Sequence, residues 1–133
     1  MERKTNFLIE PAKNTPYVNV NYQEGVLSIK GRSSPENTLE FYNPVFEAIE
    51  KLIDSPKIEL TANFRMLYFN TSSARCFFMI IKLLKKLKNN GKNIVINWYA
   101  DEDDEDMQET GEDYQDIVNI PFNIHLVEEG KLM

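Results

Sequence analysis

Two stretches near the start of the chain alternate apolar and polar residues, Tyr17-Val-Asn-Val-Asn-Tyr22 and Val26-Leu-Ser-Ile-Lys30, with Gln23-Glu24-Gly25 between them. Period-two alternation on both sides of a short glycine turn predicts a β-hairpin, and a shorter strand around Phe7 to Ile9 precedes it. The pattern changes after Gly31-Arg-Ser-Ser-Pro-Glu-Asn37, a run of turn and capping residues. Tyr42, Val45, Phe46, Ile49, Leu52 and Ile53 then recur at helical spacing. Pro44 lies inside that spacing, where it either kinks the helix or marks its first turn. Alternation returns from Lys57 to Phe64, and the apolar run to Phe69 suits a central strand. A second helix follows, with Cys76, Phe77, Ile80, Leu83, Leu84 and Leu87 on its buried stripe and Asn89-Asn90-Gly91 as its stop. Asn93 to Tyr99 predicts a further strand, about Asp104 to Val118 a third helix, and Phe122 to Val127 a last strand.

A strand, a helix and a strand of these lengths make a right-handed crossover between parallel strands. Hairpin plus crossover gives a mixed sheet of about five to six strands packed against two to three helices, in the α/β (α+β) class. The 133 residues contain no internal repeat and no Pro/Gly/Ser-rich linker, so residues 1–133 are expected to form one domain.

Composition narrows the chemistry. One cysteine, Cys76, excludes an internal disulfide, and one His with one Cys argues against a His/Cys zinc site. No segment approaches the roughly 20 apolar residues that cross a bilayer, and the N-terminal residues lack the apolar core of a signal peptide, so a cytoplasmic protein is expected. Nine of the acidic residues lie between Asp101 and Asp113, with no basic residue among them. Without those nine the net charge of −6 becomes +3, too balanced for the basic face that a nucleic-acid binder needs. Lys82, Lys85, Lys86, Lys88 and Lys92 cluster, as on the solvated side of one helix.

The chemistry-bearing residues gather where the central strand gives way to the second helix, at Asn70-Thr71-Ser72-Ser73. Free backbone N–H groups open any helix, and a short hydroxyl or amide side chain caps them. The same place favours an anion, so a phosphate on one of these hydroxyls would find donors in place, with Arg75 adding a charged one. Asp101-Glu-Asp-Asp-Glu-Asp106 invites a calcium reading, but an EF-hand-type loop needs glycine where Asp106 and Met107 stand, and Gly111 comes too late. The run then reads as a solvated loop or a docking surface for a basic patch on a partner. His125 and Cys76 read as structural, and Tyr68, Phe69, Trp98 and Tyr99 as packing residues. A rival reading makes the chain a small enzyme or ligand-binding domain using the carboxylates of Glu36, Asp103 and Asp104.

Several strings together carry a resemblance: Gly31-Arg-Ser-Ser-Pro-Glu-Asn37, Leu67-Tyr-Phe-Asn-Thr-Ser-Ser73, Asn97-Trp-Tyr99 with Asp103-Asp-Glu-Asp-Met107, Gly111-Glu-Asp113 and Ile120-Pro-Phe122. In this order, from about Phe7 to His125, they resemble the SiaC family of bacterial regulatory phosphoproteins. The resemblance implies a STAS-like cytoplasmic domain without catalytic activity or cofactor. In that family the threonine of Asn-Thr-Ser-Ser is phosphorylated by a partner kinase and dephosphorylated by a metal-dependent Ser/Thr phosphatase. The unmodified form of the best-known member activates a diguanylate cyclase, raising cyclic di-GMP and promoting biofilm growth. Carried over, the phosphorylated residue is Thr71, with Asn70, Ser72, Ser73 and Arg75 around it. Arg32, Ser34, Glu36, Asn37, Asp103, Asp104 and Asp106 become candidates for contact with protein partners; no nucleic acid, membrane or metal is implied. Many relatives carry an aromatic residue where this chain has Ser34.

Overall fold

In the computed structural model, which describes residues 6–128, alternation sorts each strand into an inner and an outer face. The elements run β1 (Asn6–Ile9), β2 (Tyr17–Asn21), β3 (Val26–Ser33), α1 (Thr38–Glu50), β4 (Glu59–Phe69), α2 (Thr71–Asn89), β5 (Asn93–Asp101), α3 (Glu105–Val118) and β6 (Phe122–Val127). A 3₁₀ turn, Lys51–Asp54, extends α1. The six strands form one sheet in chain order, antiparallel from β1 to β3 and parallel from β3 to β6. With strands in sequence order, crossovers of the usual hand leave all three helices on one face. Consistently, α1 packs on α2 and α2 on α3. The mixed sheet of six strands with three helices is the expected fold class.

Register makes the two faces legible as rows. Val18, Ile29, Phe64 and Trp98 stand side by side on the inner face, as do Val20, Leu27, Ala62, Ile96 and Phe122, all buried under the helices. Among the described residues the outer face has no helix layer, and it is mostly polar. There Asn19, Ser28, Asn63, Asn97 and Asn123 form one row, in which Asn97 Nδ2 donates to Asn63 Oδ1 at 3.0 Å and Asn123 Nδ2 donates to Asn97 Oδ1 at 3.3 Å. The next row is Tyr17, Lys30, Arg65, Tyr99 and His125. Tyr99 stacks on His125, whose Nε2 lies 3.1 Å from Asn97 Oδ1, so the histidine packs as part of the sheet surface. Arg65 is fully buried and pairs with Asp101.

Four local expectations need correction. Pro44 does not mark the first turn of α1; it sits in mid-helix on an exposed turn, where it removes one intrahelical N–H donor. Ile53 falls in the 3₁₀ turn and is exposed rather than on the buried stripe. On α2 it is Ile81 that is fully buried and Leu83 only half-buried. Lys92 does not belong to the solvated lysine face: it lies past the end of α2, buried, and its Nζ donates to the carbonyls of Ser55 at 2.8 Å and Lys57 at 2.6 Å.

Candidate functional site

Parallel strands in chain order bring the β3–α1, β4–α2 and β5–α3 connections to the same edge of the sheet, beyond the strands' carboxyl ends. The central one is the Asn70-Thr71-Ser72-Ser73 corner. A bulge shapes its approach: Gly31 pairs with Met66 but Arg32 with Tyr68, leaving Leu67 as the extra residue on β4. The extra residue inverts the alternation. Phe69 therefore turns inward, its ring 4.9 Å from that of Phe77, while Tyr68 turns outward with 44% of its surface exposed. The Arg32 guanidinium lies 5.4 Å over the Tyr68 ring, so Tyr68 belongs to the surface beside the corner and not to the packing expected for it.

The cap of α2 is Asn70, whose Oδ1 accepts the Ser73 N–H at 2.8 Å. With the amide in that role, the three hydroxyls fall inside the first helical turn and face different ways. Thr71 and Ser72 are exposed, as is Arg75 one turn after Thr71. Ser73 is fully buried, which removes it from the candidates for modification. Its Oγ lies 2.7 Å from Ser33 Oγ and 3.1 Å from the Ser33 carbonyl, and Ser33 Oγ lies 2.6 Å from the Tyr42 hydroxyl. The Asn70 N–H also donates to the Ser33 carbonyl, at 3.0 Å. Burial pushes the Tyr42 phenol well above its ordinary pKa, against a smaller opposing effect of the Ser33 hydrogen bond, so it keeps its proton.

The flanking connections divide the remaining candidates. Arg32, the next-to-last residue of β3, is exposed, Ser34 is half-buried with its N–H donating to the Asn14 carbonyl at 2.8 Å, and Glu36 is exposed. Asn37 caps α1, its Oδ1 accepting the Glu40 N–H at 3.2 Å. On the other side Asp104 caps α3, its Oδ1 accepting the Met107 N–H at 3.1 Å, and Asp103 and Asp106 are exposed beside it. A shallow acidic depression is lined by Asp101, Asp103, Asp104, Glu105 and Asp106. Glu36 is not part of it: the β4–α2 corner stands between, and the carboxylates of Glu36, Asp103 and Asp104 do not converge as the rival enzyme reading requires. Among the described residues no group of three or more His, Cys, Asp or Glu is arranged to hold a metal ion, and no helix is long and apolar enough to cross a membrane.

Gly111 fixes where α3 sits. A Cβ there would come within 2.5 Å of Trp98 Cδ1, so only glycine lets the helix backbone lie against the indole, whose Nε1 donates to the Met107 carbonyl at 3.0 Å. Tyr114, its phenol pushed up to about 12 by burial and then by the Asp113 carboxylate, donates to the Ala74 carbonyl at 3.3 Å and ties α3 to the start of α2. Ser33 and Tyr42 are the members of the corner that the sequence reading did not single out for this role. A signal was present for Ser33, which continues the inward phase of Leu27 and Ile29 with a hydroxyl that must find a partner.

Known proteins match this arrangement over nearly its whole length. Apo-SiaC from Pseudomonas aeruginosa superposes with a TM-score of 0.83 at 28% identity, covering 92% of this chain and 99% of that one. SiaC in the crystal structure of the diguanylate cyclase SiaD in complex with its activator SiaC, also from P. aeruginosa, gives 0.85 at 29% identity, covering 91% and 99%. An uncharacterized protein of P. aeruginosa (strain UCBPP-PA14) is 30% identical over 121 residues, 91% of this chain and 96% of its own length. The family model described as SiaC family regulatory phosphoprotein matches residues 9–127. With its motifs, its sheet order and its corner all in place, the chain belongs to the SiaC family of regulatory phosphoproteins.

Proposed function

We propose that the protein is a phosphorylation-controlled binding switch with no catalytic step of its own. Thr71 accepts a phosphoryl group from a partner kinase, a Ser/Thr phosphatase removes it, and the unmodified form binds an effector. A diguanylate cyclase is the effector class that fits, because SiaC of P. aeruginosa is the activator of one. The observation that carries the reading is the exposure of Thr71 in the first turn of a helix that has no acidic residue in that turn, one turn ahead of Arg75.

A phosphate adds about −1.5 to −2 charges at neutral pH. The helix itself tolerates them, because its N-terminal N–H groups and Arg75 complement a negative charge. A partner that had covered a neutral hydroxyl must instead desolvate a dianion, which is far more costly unless it supplies cations. Phosphorylation therefore releases the effector. The exposed surface around Thr71, including Arg32 with Tyr68 and the loop Ser34 to Asn37, is the contact region for partners. The acidic rim at Asp103, Asp104 and Asp106 steers the approach of basic ones.

Affinity purification of wild-type and Thr71→Ala protein from native cells, with mass spectrometry of partners and phosphosites, tests site and network together. The variant should keep its effector and lose its phosphate. Undiminished phosphate in Thr71→Ala would move the site to Ser72, the other exposed hydroxyl of the turn. A single unmodified wild-type species under all growth conditions would remove the switch.

A further inference from the structure

The hydroxyls of Tyr42, Ser33 and Ser73 and the carbonyl of Ser33 form a chain in which the direction of every hydrogen bond can be assigned. All three side chains have 0% exposure, so water is not available to complete their hydrogen bonding. The Ser33 carbonyl has no proton, so Ser73 donates in the 3.1 Å contact with it. Ser73 then has no proton left for the 2.7 Å contact with Ser33 Oγ, and Ser33 donates there. Ser33 is in turn spent, and Tyr42 donates in the 2.6 Å contact. Three protons fill three contacts, each hydroxyl donating once, from α1 to β3 to α2 and back to the β3 main chain. The Asn70 N–H bond to the same carbonyl closes the cap onto this chain. Ser33 is its hub: one residue that holds the helix cap, the buried serine of the first turn and α1.

Pinning Ser73 fixes the rotation of the turn. At about 100° per residue, Ser72 and Thr71 lie about 100° and 200° around the helix from a side chain locked into the core. We propose that Ser33, acting through Ser73, is the positioning residue of the switch: it sets the angle at which Thr71, and not its exposed neighbour Ser72, is offered to a kinase. The inference rests on the reading of Thr71 as phosphoacceptor. In the step concerned, Thr71 Oγ1 attacks the terminal phosphorus of a nucleoside triphosphate held by the kinase. A new O–P bond forms, the bridging P–O bond breaks, the nucleoside diphosphate leaves, and the hydroxyl proton passes to a base of the kinase or to water.

The test maps phosphate on Thr71 and Ser72 in full-length protein purified from native cells, as wild type, Ser33→Ala, Ser73→Ala, the double variant and Tyr42→Phe. Amide hydrogen exchange at Ser73 is measured on the same proteins. Wild type should carry its phosphate on Thr71. Ser33→Ala and Ser73→Ala should each raise the Ser72 share about tenfold and speed Ser73 exchange by at least as much, the scale of losing one buried hydrogen-bond partner. The double variant should be no worse than the worse single, because both cut one chain. Tyr42→Phe, which keeps the ring and loses only the first donor, should shift the ratio in the same direction by less, and it serves if the serine variants fail to fold. Ile49→Val, a fully buried α1 residue outside the chain of hydroxyls, controls for general loosening. An unchanged Thr71-to-Ser72 ratio in every variant of the chain overturns the inference, as does an equal shift in Ile49→Val. Wild type without phosphate on either residue overturns the phosphoacceptor reading and the inference with it.

Discussion

The corners that open α2 and α3 are built alike and charged oppositely. Each follows one of two adjacent parallel strands, and each is closed by an Asx side chain accepting the N–H three residues on, Asn70 from Ser73 and Asp104 from Met107. Here the likeness ends. The sequence of α3 holds Glu105, Asp106, Glu109, Glu112, Asp113 and Asp116 and no basic residue, so its N-terminal dipole is permanently compensated. The sequence of α2 holds Arg75 and four lysines and no acidic residue, and its first turn offers neutral hydroxyls. One corner carries its negative charge in the sequence; the other has no acidic residue in its first turn, where the proposed phosphorylation of Thr71 would supply one. Their anchors differ correspondingly. The first turn of α3 hangs on Trp98, through Met107 and the close approach of Gly111, whereas that of α2 is sewn to β3 and α1 by hydroxyls.

The contrast can be broken most strongly at the anchors. Gly111→Ala must push α3 off the Trp98 indole, and the expected loss is about 1–3 kcal/mol in urea unfolding despite the better helix propensity of alanine. An unchanged midpoint would mean that α3 is free to shift. Alkaline titration probes the hydroxyl side. Burial raises the Tyr42 phenol above the value of about 10 it has when unfolded, so the folded state holds the proton more tightly. That contribution is complete below the unfolded pKa and is lost as pH climbs above it. Tyr42→Phe should therefore flatten the fall in stability above pH 10 by up to about 1.4 kcal/mol per pH unit. Unfolding curves at several alkaline pH values check this, and parallel slopes would contradict it.

Smaller effects sharpen the comparison. Asn70→Ala and Asp104→Ala should each cost about 1 kcal/mol, because the two caps do the same work; thermal unfolding of both reads the difference directly. Charge should then separate what the caps share. Thr71→Glu adds the missing acid to α2 and should stabilise by about 0.3–1 kcal/mol at low salt, while Glu105→Gln removes one from α3 and should destabilise by a similar amount. Both effects should shrink on raising the salt to 1 M.

Much of this was readable from residue order alone. Tyr17 to Lys30 alternates because one sheet face is covered and the other is not, and the same rule carried β4, β5 and β6. The stripe of α2 was nearly right because a helix packed on a sheet buries a wide arc, though the exact arc, Ile81 in and Leu83 half out, depends on where the neighbouring helices press. At the site, the start of α2 at Asn70-Thr71-Ser72-Ser73 was legible from the amphipathic run that follows it, whereas the choice of Thr71 as phosphoacceptor rests on the family motif. Which of four polar side chains caps the helix was not readable, because Asn70, Thr71, Ser72 and Ser73 all have the chemistry and only backbone geometry chooses. Nor was the partnership of Ser73 with Ser33, 40 residues away in the chain, for hydroxyl networks leave no periodic trace. Lys92 misled for a related reason: charge suggests solvent, and its two carbonyl partners lie in another loop.

The central claim is that a dianion on Thr71 is accepted by this helix and refused by the effector. Calorimetric titration of a diguanylate cyclase partner with unmodified and stoichiometrically Thr71-phosphorylated protein measures that most directly. An uncompensated charge buried at an interface costs about 3–5 kcal/mol, so phosphorylation should weaken binding at least about a hundredfold. Equal affinities for the two forms would contradict the account.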